Sequence, residues 1–178
     1  MRSMSGPIIV TALLGHEDLA WADSLRRAHF PAEHNRLPAH LTLFHHLPPS
    51  ALPEIKRLLR DETRMTMQPA VRTHRLLQLG RGVALGIQST ALAAIRERIA
   101  EAMAGRLTPQ DGGGWRPHIT IQNKVTPSEA RALFAALQRD FKPRAIEIVG
   151  LGAHSYRGGP WESIAKYRFS RAGRFRRS

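Results

Sequence analysis

The chain has 178 residues, 42% of them hydrophobic, which suits one globular domain with a buried core and excludes a disordered chain. It holds no cysteine, so disulfides, zinc–thiolate sites and thiol nucleophiles are excluded. Lysine and arginine number 27 against 14 acidic residues, for a net charge of +13, a field that favours nucleic acid or nucleotide phosphates as ligands.

The first apolar run, Ile8 to Leu14, is broken by Gly15-His16-Glu17. It is too short to cross a membrane and lacks a signal-peptide cleavage pattern, so it reads as a first strand in a cytoplasmic protein. Asp18 to His29 carries Leu19, Ala22, Leu25 and Ala28 at helical spacing. A polar loop leads to a strand over His40–Leu47, stopped by Pro48-Pro49. Ser50 then reads as the cap of a helix to about Glu62, with Leu52, Ile55, Leu58 and Leu59 as its buried stripe. Ala70–Leu79 and Val83–Gln88 flank Gly80-Arg81-Gly82 as a hairpin. A helix over Ala91–Ala104 ends at Gly105, and a loop with Gly112-Gly113-Gly114 reaches a strand over His118–Lys124. Thr126-Pro127-Ser128-Glu129 is a capping box opening a helix that buries Leu133, Phe134 and Leu137. Ala145–Ser155 and Trp161–Phe169 read as the last two strands, with Trp161 as hairpin packing. After Glu162 only basic charges follow, and Arg171–Ser178 reads as a basic tail that adds salt-sensitive affinity.

The chain repeats itself. His40-Leu41-Thr42-Leu43 returns as His118-Ile119-Thr120-Ile121, 78 residues later (118 − 40). The same shift pairs Pro49 with Pro127, Ser50 with Ser128, Ile55 with Leu133 and Leu59 with Leu137. The fold this predicts is α+β: a duplicated, two-lobed α/β unit whose antiparallel sheets form a central cleft, with helices outside. It predicts a single domain over 1–170. One pseudo-repeat runs from about 7 to 80 with the last strand, 160–169, and the other over 83–155.

Alternation turns the imidazole and hydroxyl of each motif to one face and the aliphatics to the other. His40 and Thr42 then face His118 and Thr120. Phe44, Gln122 and Lys124 continue the cleft face by the same period, with His46 near the strand end, whereas His45 falls on the aliphatic face. One imidazole can take a proton while the other gives one. The threonine hydroxyls suit the non-bridging oxygens of a phosphodiester. The chemistry needs no metal or cofactor.

Two His-x-Thr-x motifs on a duplicated α/β frame, with the Gly158-Gly159-Pro160-Trp161 turn, resemble the two-histidine (2H) phosphoesterase superfamily. Within it they resemble the bacterial 2'-5' RNA ligase and 2',3'-cyclic phosphodiesterase group. The resemblance implies a metal-free enzyme, without cofactor, that opens 2',3'-cyclic phosphates of RNA ends or small nucleotides to 2'-phosphates, in some members with reversible 2'-5' ligation. It implies His40, Thr42, His118 and Thr120 as catalytic residues. Many members carry an arginine soon after the second motif, where this chain has Gln122-Asn123-Lys124; Lys124 then supplies the positive charge, and Phe44 and Gln122 are further substrate contacts. The expected order makes His118 the general base and His40 the general acid, although near-symmetry leaves the two exchangeable. The expected partners are RNA ends or cyclic nucleotides, with no membrane, and the expected state is monomeric. The rival readings are a cyclic phosphate of an ADP-ribose derivative as substrate, or a non-catalytic RNA-binding module.

Overall fold

The structure, a computed structural model, describes residues 6–170; the basic tail expected over Arg171–Ser178 lies outside them. The strands are β1 (Ile8–Leu14), β2 (Leu41–Leu47), β3 (Ala70–Gln78), β4 (Val83–Gln88), β5 (His118–Gln122), β6 (Ala145–Ser155) and β7 (Glu162–Arg168). The helices are α1 (His16–His29), α2 (Leu52–Met65), α3 (Thr90–Ala102), a short α4 (Pro109–Gly112) and α5 (Pro127–Gln138).

Every strand pairing is antiparallel, in the order β2-β1-β6-β3-β4-β5, with β7 also on β6. The two expected lobes therefore share one sheet, and β6 joins them. Its first residues, Ala145–Glu147, pair with β3, while the rest pairs with β1 on one side and β7 on the other. The motif strands β2 and β5 stand at the two ends of this order, yet they come into contact with each other. The sheet thus curls until its ends face across a cleft.

Alternating aliphatics hold the curl. Val10, Leu41, Leu43, Ile55, Leu59, Val83, Leu85, Ile95, Ile99, Ile119 and Ile121 belong to one contiguous buried cluster. Full burial of each contributes roughly 1.5–3 kcal/mol before the entropy cost. The helices are exchanged between lobes: α1, from the first repeat, packs against β5 of the second.

The repeat is imperfect at its caps. Thr126 caps α5, accepting from the Glu129 amide at 3.2 Å, as expected. Ser50 does not cap α2; it sits in a 3-10 turn over Pro49–Ala51 that runs into the helix. Pro48 occupies the position equivalent to Thr126 and has no side-chain oxygen to offer. Ser89 caps α3 by accepting from Leu92 at 3.0 Å, and Gly105, at φ +80, follows its end.

Candidate active site

The two motif histidines are anchored alike. His40 Nδ1 lies 2.8 Å from the Pro38 carbonyl, and His118 Nδ1 lies 2.8 Å from the Arg116 carbonyl. A carbonyl can only accept, so both Nδ1 atoms carry the proton. Each ring is thereby fixed in the tautomer whose Nε2 is an acceptor. The threonines are anchored by their backbones: Trp115 Nε1 donates to the Thr42 carbonyl at 3.1 Å, and Arg26 donates to the Thr120 carbonyl at 2.9 Å. His40, Thr42, His118 and Thr120 line one cavity of about 320 Å³. The structure brings all four together, as the spacing predicts.

Beyond the threonines the expected alternation breaks, on both strands at the same place. Thr11 pairs with Thr42 and Val10 with Phe44; Ala84 pairs with Thr120 and Val83 with Gln122. Leu43 and Ile121 are therefore extra residues against their partners, a β-bulge in each motif strand. A bulge reverses which face the following residues take. Phe44 does not face the cleft; it is 0% exposed in the core, with the Arg96 guanidinium 4.7 Å above its ring. Gln122 is likewise turned inward, 6% exposed, and its Oε1 has no hydrogen-bond partner. Neither can meet substrate where the period placed it. Lys124 does reach a cavity beside the motifs, but through a left-handed turn at φ +61 rather than by strand continuation. The Asn123 side chain holds this turn, accepting from the Lys124 amide at 2.8 Å.

The same bulge brings in a residue the pattern assigned to the aliphatic face. His45 is 42% exposed and lines the cavity of the paired motifs, with Nδ1 3.3 Å from the carboxylate of Asp111, itself 1% exposed. Asp111 also accepts the backbone N–H groups of His45 and His46, each at 2.8 Å. Burial pushes its carboxyl up, but these His45 and His46 bonds outweigh that and hold it below the ordinary aspartate value. His46 is exposed and contributes its backbone here. The adjacent apolar pair Leu43-Phe44, followed by His45-His46, breaks the alternation on β2, and that doublet is the signal in the sequence that could have placed His45 in the cleft.

Two buried arginines brace the bulged strands crosswise. Arg26 of α1 holds the Thr120 carbonyl of β5, and Arg96 of α3 donates to the Leu43 carbonyl of β2 at 2.9 Å and to the Asp111 carbonyl at 2.6 Å. Each repeat's helix thus positions the other repeat's motif.

The surroundings of the two histidines differ. Trp161, expected only to pack a hairpin, stands against His40 with ring centroids 4.7 Å apart and lines every cavity that meets His40. Burial, reinforced by the positive charges of Arg26, His118 and His154 and opposed by the Pro38 bond, pushes His40 down to about 4. His40 is therefore neutral near pH 7. That is the state of a base, opposite to the acid role expected for it. Among the described residues, no three metal-ligating side chains gather into a group, and no helix is long and apolar enough to cross a membrane.

A profile of the 2'-5' RNA ligase superfamily matches residues 16–160, a span that includes both motifs and the turn leading to Trp161. The chain belongs to the 2'-5' RNA ligase superfamily. That places it among the two-histidine phosphoesterases, as the paired motifs predict. Its fold is shared with TT0787 of Thermus thermophilus, at TM-score 0.62 and 15% identity over 93% of this chain and 98% of that one. It is shared also with E. coli LigT complexed with 3'-AMP, at TM-score 0.58 and 15% identity over 94% and 99%. LigT complexed with NADP+ gives TM-score 0.58 and 18% identity over 94% and 99%. No curated protein matches the sequence.

Proposed function

We propose that the protein is a metal-free phosphoesterase that opens 2',3'-cyclic phosphates at RNA ends or on small nucleotides, leaving a 2'-phosphate. The observation that carries this reading is the matched anchoring of His40 and His118. Both hold Nδ1–H on a backbone carbonyl and line one cavity with two threonines. Superfamily membership supports it, as do the nucleotides held by LigT, whose fold the chain shares.

In the reaction, water attacks phosphorus in line with the 3'-oxygen. One imidazole Nε2 takes the water proton while the other gives a proton to the 3'-oxygen as the P–O3' bond breaks. The Thr42 and Thr120 hydroxyls hydrogen-bond the non-bridging oxygens, whose negative charge they stabilise. The products are a 2'-phosphate and a 3'-hydroxyl. With a 5'-hydroxyl in place of water, the same groups would bond its oxygen to phosphorus as the P–O3' bond breaks, giving a 2'-5' phosphodiester and a free 3'-hydroxyl; in the return step that 3'-hydroxyl attacks and the 5'-oxygen leaves with a proton.

The anionic substrate supplies the asymmetry that sequence does not. Burial is the main cause that depresses His40, with positive neighbours adding to it; a phosphodiester between the rings sets a negative charge beside it that opposes both and favours a proton there, which restores the acid role and leaves His118 as base. Lys124, Arg26 and Arg36 line the adjoining cavity of about 520 Å³ and favour a phosphate-bearing strand there. Lysine is a point charge where a family arginine would grip two oxygens.

The test is incubation of purified protein with a 2',3'-cyclic nucleotide and with cyclic-ended RNA, in chelator, with assignment of the phosphate position. Release of 2'-phosphate in chelator is the expected result. Release of 3'-phosphate, or activity only with added metal, overturns the mechanism. RNA binding with no product from any cyclic phosphate makes the protein a binding module.

A further inference from the structure

A second trough opens from His40 on the far side of Trp161, and the chemistry above makes no use of it. It has a volume of about 510 Å³ and is lined by β1, β6, β7 and the start of α1. Its floor follows from two cross-strand rows. Thr11 pairs with Gly152 and Gly152 with Lys166; Leu13 pairs with Gly150 and Gly150 with Arg168. The middle position of both rows is glycine. A Cβ at Gly152 would lie 3.0 Å from Leu13 Cδ2 and 3.1 Å from His154 Nε2, so glycine is what lets these two side chains close over the strand there.

The walls have distinct chemistry. Leu14, Leu19 and Leu37 make one side apolar, and Trp161 closes the end at His40. Across the sheet stand Lys166 and Arg168, both exposed and neither in an ion pair among the described residues. His154 sets a polar group into the wall, its Nε2 2.9 Å from Thr11 Oγ1. An apolar slot bounded by an indole suits a planar base, and two lysine and arginine heads along its rim suit a phosphate.

We infer that this trough binds the nucleoside preceding the reacting end of an RNA strand, with its base against Leu19, Leu37 and Trp161 and the linking phosphate on Lys166 and Arg168. The inference rests on the proposed function. It assigns the enzyme to oligonucleotide ends in preference to free cyclic mononucleotides, because only the former fill the trough and the catalytic cavity together.

The experiment compares kcat/KM for a dinucleotide ending in a 2',3'-cyclic phosphate with that for the cyclic mononucleotide. In wild type the dinucleotide is favoured on the order of tenfold, the size of one stacked base with its phosphate. In K166E/R168E, and separately in Leu19→Gln, the ratio falls toward one. Equal use of both substrates by wild type overturns the inference, as does a ratio that the variants leave in place. If neither substrate is hydrolysed, the proposed function fails, and the trough is then judged by dinucleotide affinity. Weaker binding by K166E/R168E than by wild type at low salt, converging at high salt, supports it; equal binding at low salt overturns it.

Discussion

The strands β2 and β5 carry the same motif, the same bulge one residue beyond the threonine, and the same bond from Nδ1 to a carbonyl two residues back. They differ in what the bulge turns inward and in what closes over the histidine. On β2 the inward residue is Phe44, seated under Arg96, and the cleft gains His45 held by Asp111. On β5 it is Gln122, buried with an orphaned oxygen, and the chain leaves at once through the left-handed Lys124 turn. Over His40 lies Trp161. Duplication thus supplies two matched histidine–threonine sets, while the surroundings of the two chemically identical rings differ.

The comparison breaks most directly at the histidines. His40→Ala and His118→Ala should each lower kcat for a 2',3'-cyclic nucleotide by about 10²–10⁴-fold, with unchanged circular dichroism. Wild-type-like turnover in either variant would show that the halves do not act as a pair.

Arg26 and Arg96 test whether the crosswise bracing is reciprocal. Removing either leaves buried carbonyls without a donor, and Arg26→Ala and Arg96→Ala should each cost about 2–3 kcal/mol in urea unfolding. A loss in one variant alone would make the bracing one-sided.

The depressed His40 predicts a pH dependence of stability. A histidine whose folded pKa lies below its unfolded value of 6.5 favours the native state while neutral. Its contribution is fully present above pH 6.5 and is lost as pH falls toward about 4. His40→Asn should flatten that acid limb of stability, while His118→Asn serves as the comparison. An NMR titration of the His40 ring should move up from about 4 when a nucleotide 2'-monophosphate is bound; an unmoved titration would contradict the return of a proton by substrate.

Asp111→Asn removes the carboxylate that orients His45 and holds two backbone amides, and should raise KM severalfold and cost about 1–2 kcal/mol. Because the Asp111 carboxyl is held below its ordinary value, its stabilisation is present above that value and disappears on acidification through and below it. The variant should lack that loss. His45→Ala separates the two effects, since it keeps the buried carboxylate; the KM change should persist with a smaller stability change. The smallest expected effect is at Gln122. Replacing its orphaned amide with leucine should leave stability within about 1 kcal/mol of wild type and activity unaltered, as expected of a core position on β5.

Much of this protein is legible in its residues. Period-2 and helical spacing locate the strands and helices within a few residues, because burial of one face is a local demand on the chain. The repeat of His-x-Thr-x with proline and helix stripes in one register points to a symmetric site before any coordinate is known. Simple alternation then misplaces Phe44, Gln122 and His45, since a bulge is set by pairing with a neighbouring strand, marked on β2 only by the Leu43-Phe44 and His45-His46 doublets. The single sheet joined by β6 is likewise a matter of long-range pairing, as is the exchange of Arg26 and Arg96 between repeats. The lowered pKa of His40 arises from burial, and the ring in contact with it, Trp161, comes from more than a hundred residues along the chain. Sequence alone determined which groups the repeat pairs; tertiary structure decided which way they point and how far His40 is withdrawn from water, because pairing register and desolvation depend on residues far apart in the chain.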